Sequence, residues 1–476
     1  MTEEKKVIKR IIPSGAESPS PELKALGLKA NPFPPDAIMN LGSGDPRVNG
    51  EIFAEGVRKD VIETFERRVI GKGNFGARAR IAYLWAEGGP ETGRGVGKTA
   101  LLRYFQHKIN SSWGSEYFNG KTPLCVLYEQ PRQVPKDPIN YMAMFAIRNF
   151  EISGIMDSII LTLRLKAITD FLGEQRAIDI SNEAASGGDG LYLDDTWLVD
   201  QSVDVGKLNQ LVAEELTKKR IPALPDIGID GQIANAMAKR ELLGYLSTLR
   251  TDNRLIAPHP PRDTKLHQRL PDIFFNQIML ALLAGHFTGV YLFVDDIENL
   301  VDQPGRKQQE IFAKTVGNCI FREETVAAKT RMLTLVLTTH ENSARRLSQA
   351  WELAGLNASS PMKLDGPNTI KVPIPTTEGA LDMMRAFLNH YRDTSLAVED
   401  ELHPFSISAA TKLVNATGKH PRRFLSVANL FIDQACHEKC TIIDEKFIDK
   451  YLPKFTGQTA EKIKREESLL EIGLDE

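Results

Sequence analysis

The chain has 476 residues, 42% of them hydrophobic, with 59 basic against 62 acidic side chains and a net charge of -3. That length suits two or three domains around a large core, and the near-balanced charge excludes the overall basic footprint of a dedicated nucleic-acid binder. Four cysteines in so long a chain exclude a disulfide framework.

The N-terminal MTEEKKVIKR is charged and lacks an apolar core, which argues against a secretory signal and for a cytoplasmic protein. Residues 1 to about 20 are polar and are expected to be loosely held. The prolines of LGLKANPFPPDAI predict an extended segment lying on a surface. Helical spacing of Phe53, Val57, Val61, Ile62, Phe65 and Val69 predicts a helix over 51–70.

Alternating elements follow. Strands are predicted at 81–86, 124–129, 291–295, 332–339 and 369–372, with helices at 98–109, 139–172 and 308–321. The strands are apolar throughout, so the expected fold is α/β, a parallel sheet covered on both faces by helices. The apolar run from Ile278 to Val294 contains Gly285, His286 and Thr288. It divides better into a helix end, a turn and a buried strand than into a membrane span.

A Gly/Ser/Asp-rich stretch at 181–204 and a helical one at 207–250 separate the second strand from the third, so a helical insertion is predicted at about 135–265. Beyond Thr376 only helical patterns remain, at 377–393, 405–415, 421–438 and 444–451. The expected organisation is an N-terminal segment at 1–50, a main domain at 51–376, a small helical domain at 377–455 and a charged tail at 456–476. Cys436 and Cys440 share a helical face, which is half of a metal site, but Cys125 and Cys319 stand alone; the pair reads as small residues on a core-facing stripe.

The first strand runs into Gly93-Arg94-Gly95-Val96-Gly97-Lys98-Thr99, followed by Ala100 in the next helix. Glycines let backbone N–H groups converge on phosphate oxygens, and the helix N-terminus adds partial positive charge there. In such a loop Lys98 bridges the terminal phosphates of ATP and the Thr99 hydroxyl binds Mg2+. The pattern G-x-x-x-x-G-K-[ST] places its first glycine on Thr92, so the turn must be made by Gly93 and Gly95 or by the preceding Gly88-Gly89-Pro90.

The third strand, GVYLFVDDIENL, ends in two acids. A parallel strand delivers such residues to its carboxyl end, where ligands bind. Asp295 is expected to hold Mg2+ through water and Asp296 to orient the attacking water, with Glu298 as a substitute. Aspartate at the second position is one methylene shorter than glutamate, which favours slow turnover.

With both motifs present, the chain resembles the AAA+ ATPases, closest in feel to initiator and transposition-regulator ATPases and to P-loop proteins of phage-exclusion systems. The latter likeness lies in AGHFTGVYLFVDDIENL. The resemblance covers about residues 50–130 and 270–450. It implies a polar sensor at the end of the next strand, here Thr338 or Thr339 in LTLVLTTHENS, and a lid arginine reaching the γ-phosphate, here Arg422 or Arg423 in GKHPRRFLSVANLF, with Arg422 favoured. It also implies an arginine finger, yet no arginine lies between Leu347 and Met384; Arg345, Arg346 and Lys363 are the nearest substitutes. Adenine contacts are implied somewhere within Asn31 to Arg58, and Glu129 could link partner binding to Asp296.

The expected activity is hydrolysis of ATP with Mg2+, coupled to assembly on or remodelling of a DNA or protein partner in DNA transactions or phage defence. The basic clusters Arg78 and Arg80, Lys218 to Arg220, and Lys419 to Arg423 are candidate DNA contacts. The alternative is a slow signalling or scaffold NTPase that docks a protein partner through its insertion. The expected partners are ATP, further copies of the chain or another protein, and DNA as a candidate, with no membrane.

Overall fold

The computed structural model describes residues 19–37, 44–71, 80–88, 93–109 and 125–129, helical pieces within 139–219, and residues 271–279, 289–297, 305–321, 325–355, 364, 366–393 and 400–472. The chain divides into two compact units, one formed by residues 60–373 and the other by residues 1–59 together with 374–476. The described part of the expected N-terminal segment therefore has no unit of its own. Residues 1–18 lie outside the described residues.

The larger unit is an α/β layer built on five parallel strands: β1 (Ile81–Ala86), β2 (Cys125–Glu129), β3 (Val290–Val294), β4 (Leu333–His340) and β5 (Thr369–Lys371). Their order is β2-β3-β4-β1-β5, and every neighbouring pair is parallel. All residues of β1, β3 and β4 are buried, as a sheet covered on both faces demands; β1 and β3 are apolar runs, whereas β4 also buries Thr334, Thr338, Thr339 and His340. β4 lies between β1 and β3, although β1 precedes it by some 250 residues of chain.

Aromatic contacts join the helices to one another and to the sheet. The α-helix Lys59–Phe65, which enters this unit at Asp60, widens to a π turn at Glu66–Ile70. Phe65 stacks on Phe105 at 4.1 Å and meets Phe293 edge-on at 6.1 Å, while the Tyr291 hydroxyl donates to the Ile70 carbonyl at 3.2 Å. Phe105 belongs to the helix Lys98–Ile109, which follows β1. The helices Arg306–Ile320 and Glu341–Leu353 pack together through Phe312 and Trp351, and the Trp351 indole N–H donates to the Tyr83 hydroxyl on β1. In the insertion, helices Glu174–Ala184 and Val205–Lys218 pack as a pair, joined by Arg176 to Glu215 at 3.0 Å. Of the expected insertion at 135–265 only helical pieces within 139–219 are among the described residues, and residues 220–270 lie outside them. Among the described residues no helix is long and apolar enough to cross a membrane.

The smaller unit is helical: Thr377–His390, Ile407–Ala416, Pro421–Glu438 and Glu445–Ile472. Thr376 and Ser406 cap the first two by accepting from backbone N–H groups three residues on, and Pro421 starts the third at the position where a missing N–H costs nothing. The pattern predicts an end at 451 for the fourth, two residues before Pro453, which has no N–H to donate. The helix instead runs through it. Tyr451 and Phe455 stack on one another and Phe455 meets Phe431, so apolar burial carries the helix past the proline. Cys440 lies just beyond the third helix, and both Cys436 and Cys440 are thiols packed against the core.

The N-terminal segment is part of this core. A short helix, Pro21–Ala25, leads into a strap whose Leu26, Leu28 and Phe33 are fully buried among the helical side chains. Phe33 stacks on Phe387 and meets Phe405 edge-on. Asn429 donates to the Phe33 carbonyl at 2.7 Å, and Asn31 donates to the Asn429 carbonyl at 3.0 Å and to Asp433 at 2.8 Å. Beyond Ala25 the strap is made of turns, bends and one isolated bridge from Leu28 to Arg392; its apolar side chains are buried in the helices and Asn31 is held to them by hydrogen bonds.

Arg47 ties the strap further. Its guanidinium takes both oxygens of Asp45, donates to the Asn31 carbonyl at 2.9 Å and lies 6.0 Å over the Tyr391 ring. Burial raises the Asp45 carboxyl, but the Arg47 hydrogen bonds outweigh it and leave the group below its usual range. Burial, with the nearby Asp45 charge, pushes the Tyr391 phenol up to about 12 from its ordinary 10.0. The folded chain thus keeps a proton that the unfolded chain loses above its ordinary value. Stability from this group is fully present below pH 10.0 and is lost as the pH rises toward about 12. Urea midpoints of the native chain are expected to fall over that range, and Tyr391→Phe is expected to flatten the fall. Equal slopes in both chains would remove Tyr391 as the cause.

Candidate functional site

The site is built at the carboxyl ends of β1, β3 and β4. β1 feeds a glycine-rich loop whose Gly95 and Gly97 have φ of 76° and 103°, values that side chains with a Cβ rarely adopt. Gly93 is needed for a different reason: a Cβ there would lie 2.9 Å from the His340 Cβ and 3.2 Å from the Glu87 carbonyl oxygen. Gly88, before the loop, is also left-handed at φ 87°, while Gly89, Pro90 and Thr92 lie outside the described residues. Val96 is buried beneath the loop, and the half-buried Ala100 continues the helix.

Lys98 opens that helix and is 4% exposed; its ammonium donates to the Gly93 carbonyl at 2.7 Å. The Thr99 hydroxyl donates to Asp295 Oδ2 at 2.5 Å, across 196 residues of sequence. Asp295 is fully buried, and its other oxygen accepts from the Thr338 hydroxyl. The expected metal residues, Thr99 and Asp295, are therefore in direct contact. Both are hard oxygen donors, the kind that suits Mg2+ or Ca2+. Among the described residues no cluster of three or more His, Cys, Asp or Glu is assembled, so a cation here would complete its shell with water or with oxygens of a ligand.

Asp296 follows with φ 49°, a left-handed conformation that aspartate tolerates better than most residues but at some cost. Its N–H donates to the Thr338 hydroxyl oxygen at 2.8 Å, and the next N–H, of Ile297, donates to the Thr338 carbonyl at 3.1 Å. The two candidate sensor threonines are thus told apart. Thr338 reaches the acidic turn, whereas the equally buried Thr339, one step along the strand, donates to the His340 carbonyl at 3.1 Å. Thr339 is not among the groups brought to Asp295.

Among the described residues of the loop, Arg94 Nε is buried with no hydrogen-bond partner. An unpaired donor within a glycine loop fits an acceptor-rich anion.

Two residues escaped the sequence pattern. His340 ends β4 and caps the following helix, its Nδ1 accepting from the Ser343 N–H at 3.3 Å while its Cβ closes on Gly93. Glu341 accepts from Arg345 at 2.7 Å and from the Gly88 N–H at 3.3 Å; these bonds, Arg345 foremost, hold its carboxyl below the usual range. An acid in a first helical turn directly after a strand was the available signal. Arg345 is thereby paired within its own helix, and Arg346 beside it is exposed. Lys363 and Glu298 lie outside the described residues. Glu129 ends β2 in register with Val294, one residue before Asp295. Arg422 is a half-buried residue in the first turn of Pro421–Glu438 in the helical unit, with Arg423 exposed beside it.

The chain matches no protein-family model, and no curated protein matches it.

Proposed function

We propose that this chain is an AAA+-like P-loop ATPase that binds ATP with Mg2+ on the loop 93–99 and hydrolyses it. The observation that carries this reading is the 2.5 Å contact between Thr99 and Asp295. It joins the start of a glycine-loop helix to the acidic end of a separate parallel strand, a pairing that a ligand-free glycine turn does not require. The all-parallel order with β4 between β1 and β3 supports it, because the three strand ends then converge on one spot.

In this reading Lys98 and the loop N–H groups neutralise phosphate oxygens, with the Arg94 Nε as a further donor. Thr99 and Asp295 hold Mg2+, which supplies charge neutralisation of the phosphates when bound. Asp296 orients the attacking water, and Arg422 serves as the lid arginine. Turnover drives assembly on or remodelling of a DNA or protein partner, by further copies of the chain or with another protein. The cytoplasmic location belongs to the same proposal.

A second reading, a slow switch that docks a protein partner through its insertion, is favoured by two observations. Asp296 is short and held in a left-handed turn, and Arg345 is engaged by its own helix. The steady-state ATPase rate of the purified chain, with and without double-stranded DNA at low and moderate salt, separates the two. Stimulation that fades with salt supports the DNA-associated motor, since phosphate contacts are salt-sensitive. A low rate indifferent to DNA supports the switch. Absence of both nucleotide binding and turnover sinks the ATPase reading. Asp296→Asn is expected to leave nucleotide affinity unchanged while lowering turnover by about a hundredfold or more; an unchanged rate removes Asp296 as the water-orienting group.

A further inference from the structure

We infer that Thr338 is a positioning residue that fixes the metal-holding and water-orienting acids as one unit, and that its hydroxyl does not touch the nucleotide. This deepens the ATPase reading and rests on it. A threonine hydroxyl has one proton to donate, and that of Thr338 goes to Asp295 Oδ1. Its oxygen accepts from the Asp296 N–H at 2.8 Å, and the carbonyl of the same residue accepts from the Ile297 N–H at 3.1 Å. The side chain is fully buried, with no exposed face to offer a ligand.

The topology explains how one residue can do this. β4 runs beside β3, and the last paired position is Val294 opposite Leu337. Thr338 stands one residue beyond, where β3 has ended and its chain turns away. From there it reaches both the carboxylate of Asp295 and the backbone of Asp296. Asp295 is consequently gripped from two sides, by Thr99 on the loop helix and by Thr338 on β4. The left-handed turn at Asp296 is stitched to β4 by two N–H bonds. A sensor facing the γ-phosphate would keep its donor free; this one spends it on the acid.

The test compares Thr338→Val, which keeps the branched shape but removes donor and acceptor, with Thr338→Ser, which keeps the hydroxyl. Three measurements are made on the full chain: affinity for a fluorescent ADP in EDTA, binding of Mn2+ to the ADP complex by electron paramagnetic resonance, and the Mg2+ dependence of turnover. Thr338→Val is expected to bind ADP in EDTA like the native chain. Its Mn2+ affinity and turnover should fall about 10- to 100-fold, the size expected for a group that orients a metal ligand. Thr338→Ser should restore most of both. Native Mn2+ affinity with lost turnover in Thr338→Val would overturn the inference in favour of direct phosphate contact. So would an equal loss in Thr338→Ser, or native values throughout in Thr338→Val. A native chain that binds no ADP would instead overturn the ATPase reading itself, and the inference with it.

Discussion

Replacing Lys98 with alanine is expected to lower nucleotide affinity by at least about a hundredfold. Hydrogen bonds to charged partners are worth about 1.5–3 kcal/mol each, and about 1.4 kcal/mol is a factor of ten in affinity. The Lys98 ammonium already sits in the loop, 4% exposed and held by the Gly93 carbonyl, so little reorganisation is needed for it to meet phosphate oxygens. Lys98→Met is the companion variant, because it keeps an apolar stem in the same space. It should lose affinity to a similar degree while melting at or above the native temperature, since folding no longer has to bury a charge. Titration with a fluorescent ATP analogue and thermal melts read both effects. Native affinity in either variant would detach the loop from nucleotide binding.

The second large effect lies in the other unit. Phe33→Ala is expected to destabilise the helical unit by about 3–5 kcal/mol, as aromatic truncations in close-packed cores do. Phe33 is fully buried between Phe387 and Phe405, and its carbonyl is held by Asn429. Deleting residues 1–37 also removes the fully buried Leu26 and Leu28. Each buried apolar side chain contributes about 1.5–3 kcal/mol, so the total rivals the stability of a whole domain, about 5–15 kcal/mol. The deleted chain is expected to lose the cooperative urea transition of the helical unit. A transition unchanged in midpoint and slope would show that the strap is dispensable.

The sequence reveals the local elements of the site better than their neighbours. IAYLWA and the glycines after it carry their own periodicity and turn chemistry, so β1, the loop and the next helix stand within a residue of their predicted ends. The acids after β3 are legible for the same reason. Strand order is not legible, because a fully buried parallel strand is apolar on both faces and its pattern is silent about which strand lies beside it. The choice between Thr338 and Thr339 needed that missing information: only the register of β4 against β3 decides which hydroxyl meets Asp295. The strap was hidden differently. Leu26, Leu28 and Phe33 are too few and too irregularly spaced to signal a core, and their burial depends on helices nearly 400 residues away.

That remoteness governs the order in which the chain can fold as it is made. β1 emerges early from the ribosome, but its two sheet neighbours are residues 333–340 and 369–371. Loop closure over such spans is slow, and vectorial synthesis adds only about 5–20 residues per second. Leu26, Leu28 and Phe33 wait longer still, for partners between Ala380 and Phe455. Neither unit can close its core on a half-made chain. The newborn N-terminal half therefore travels with bare apolar surface until the last helices arrive, and it is the stretch of the molecule most in need of chaperone cover.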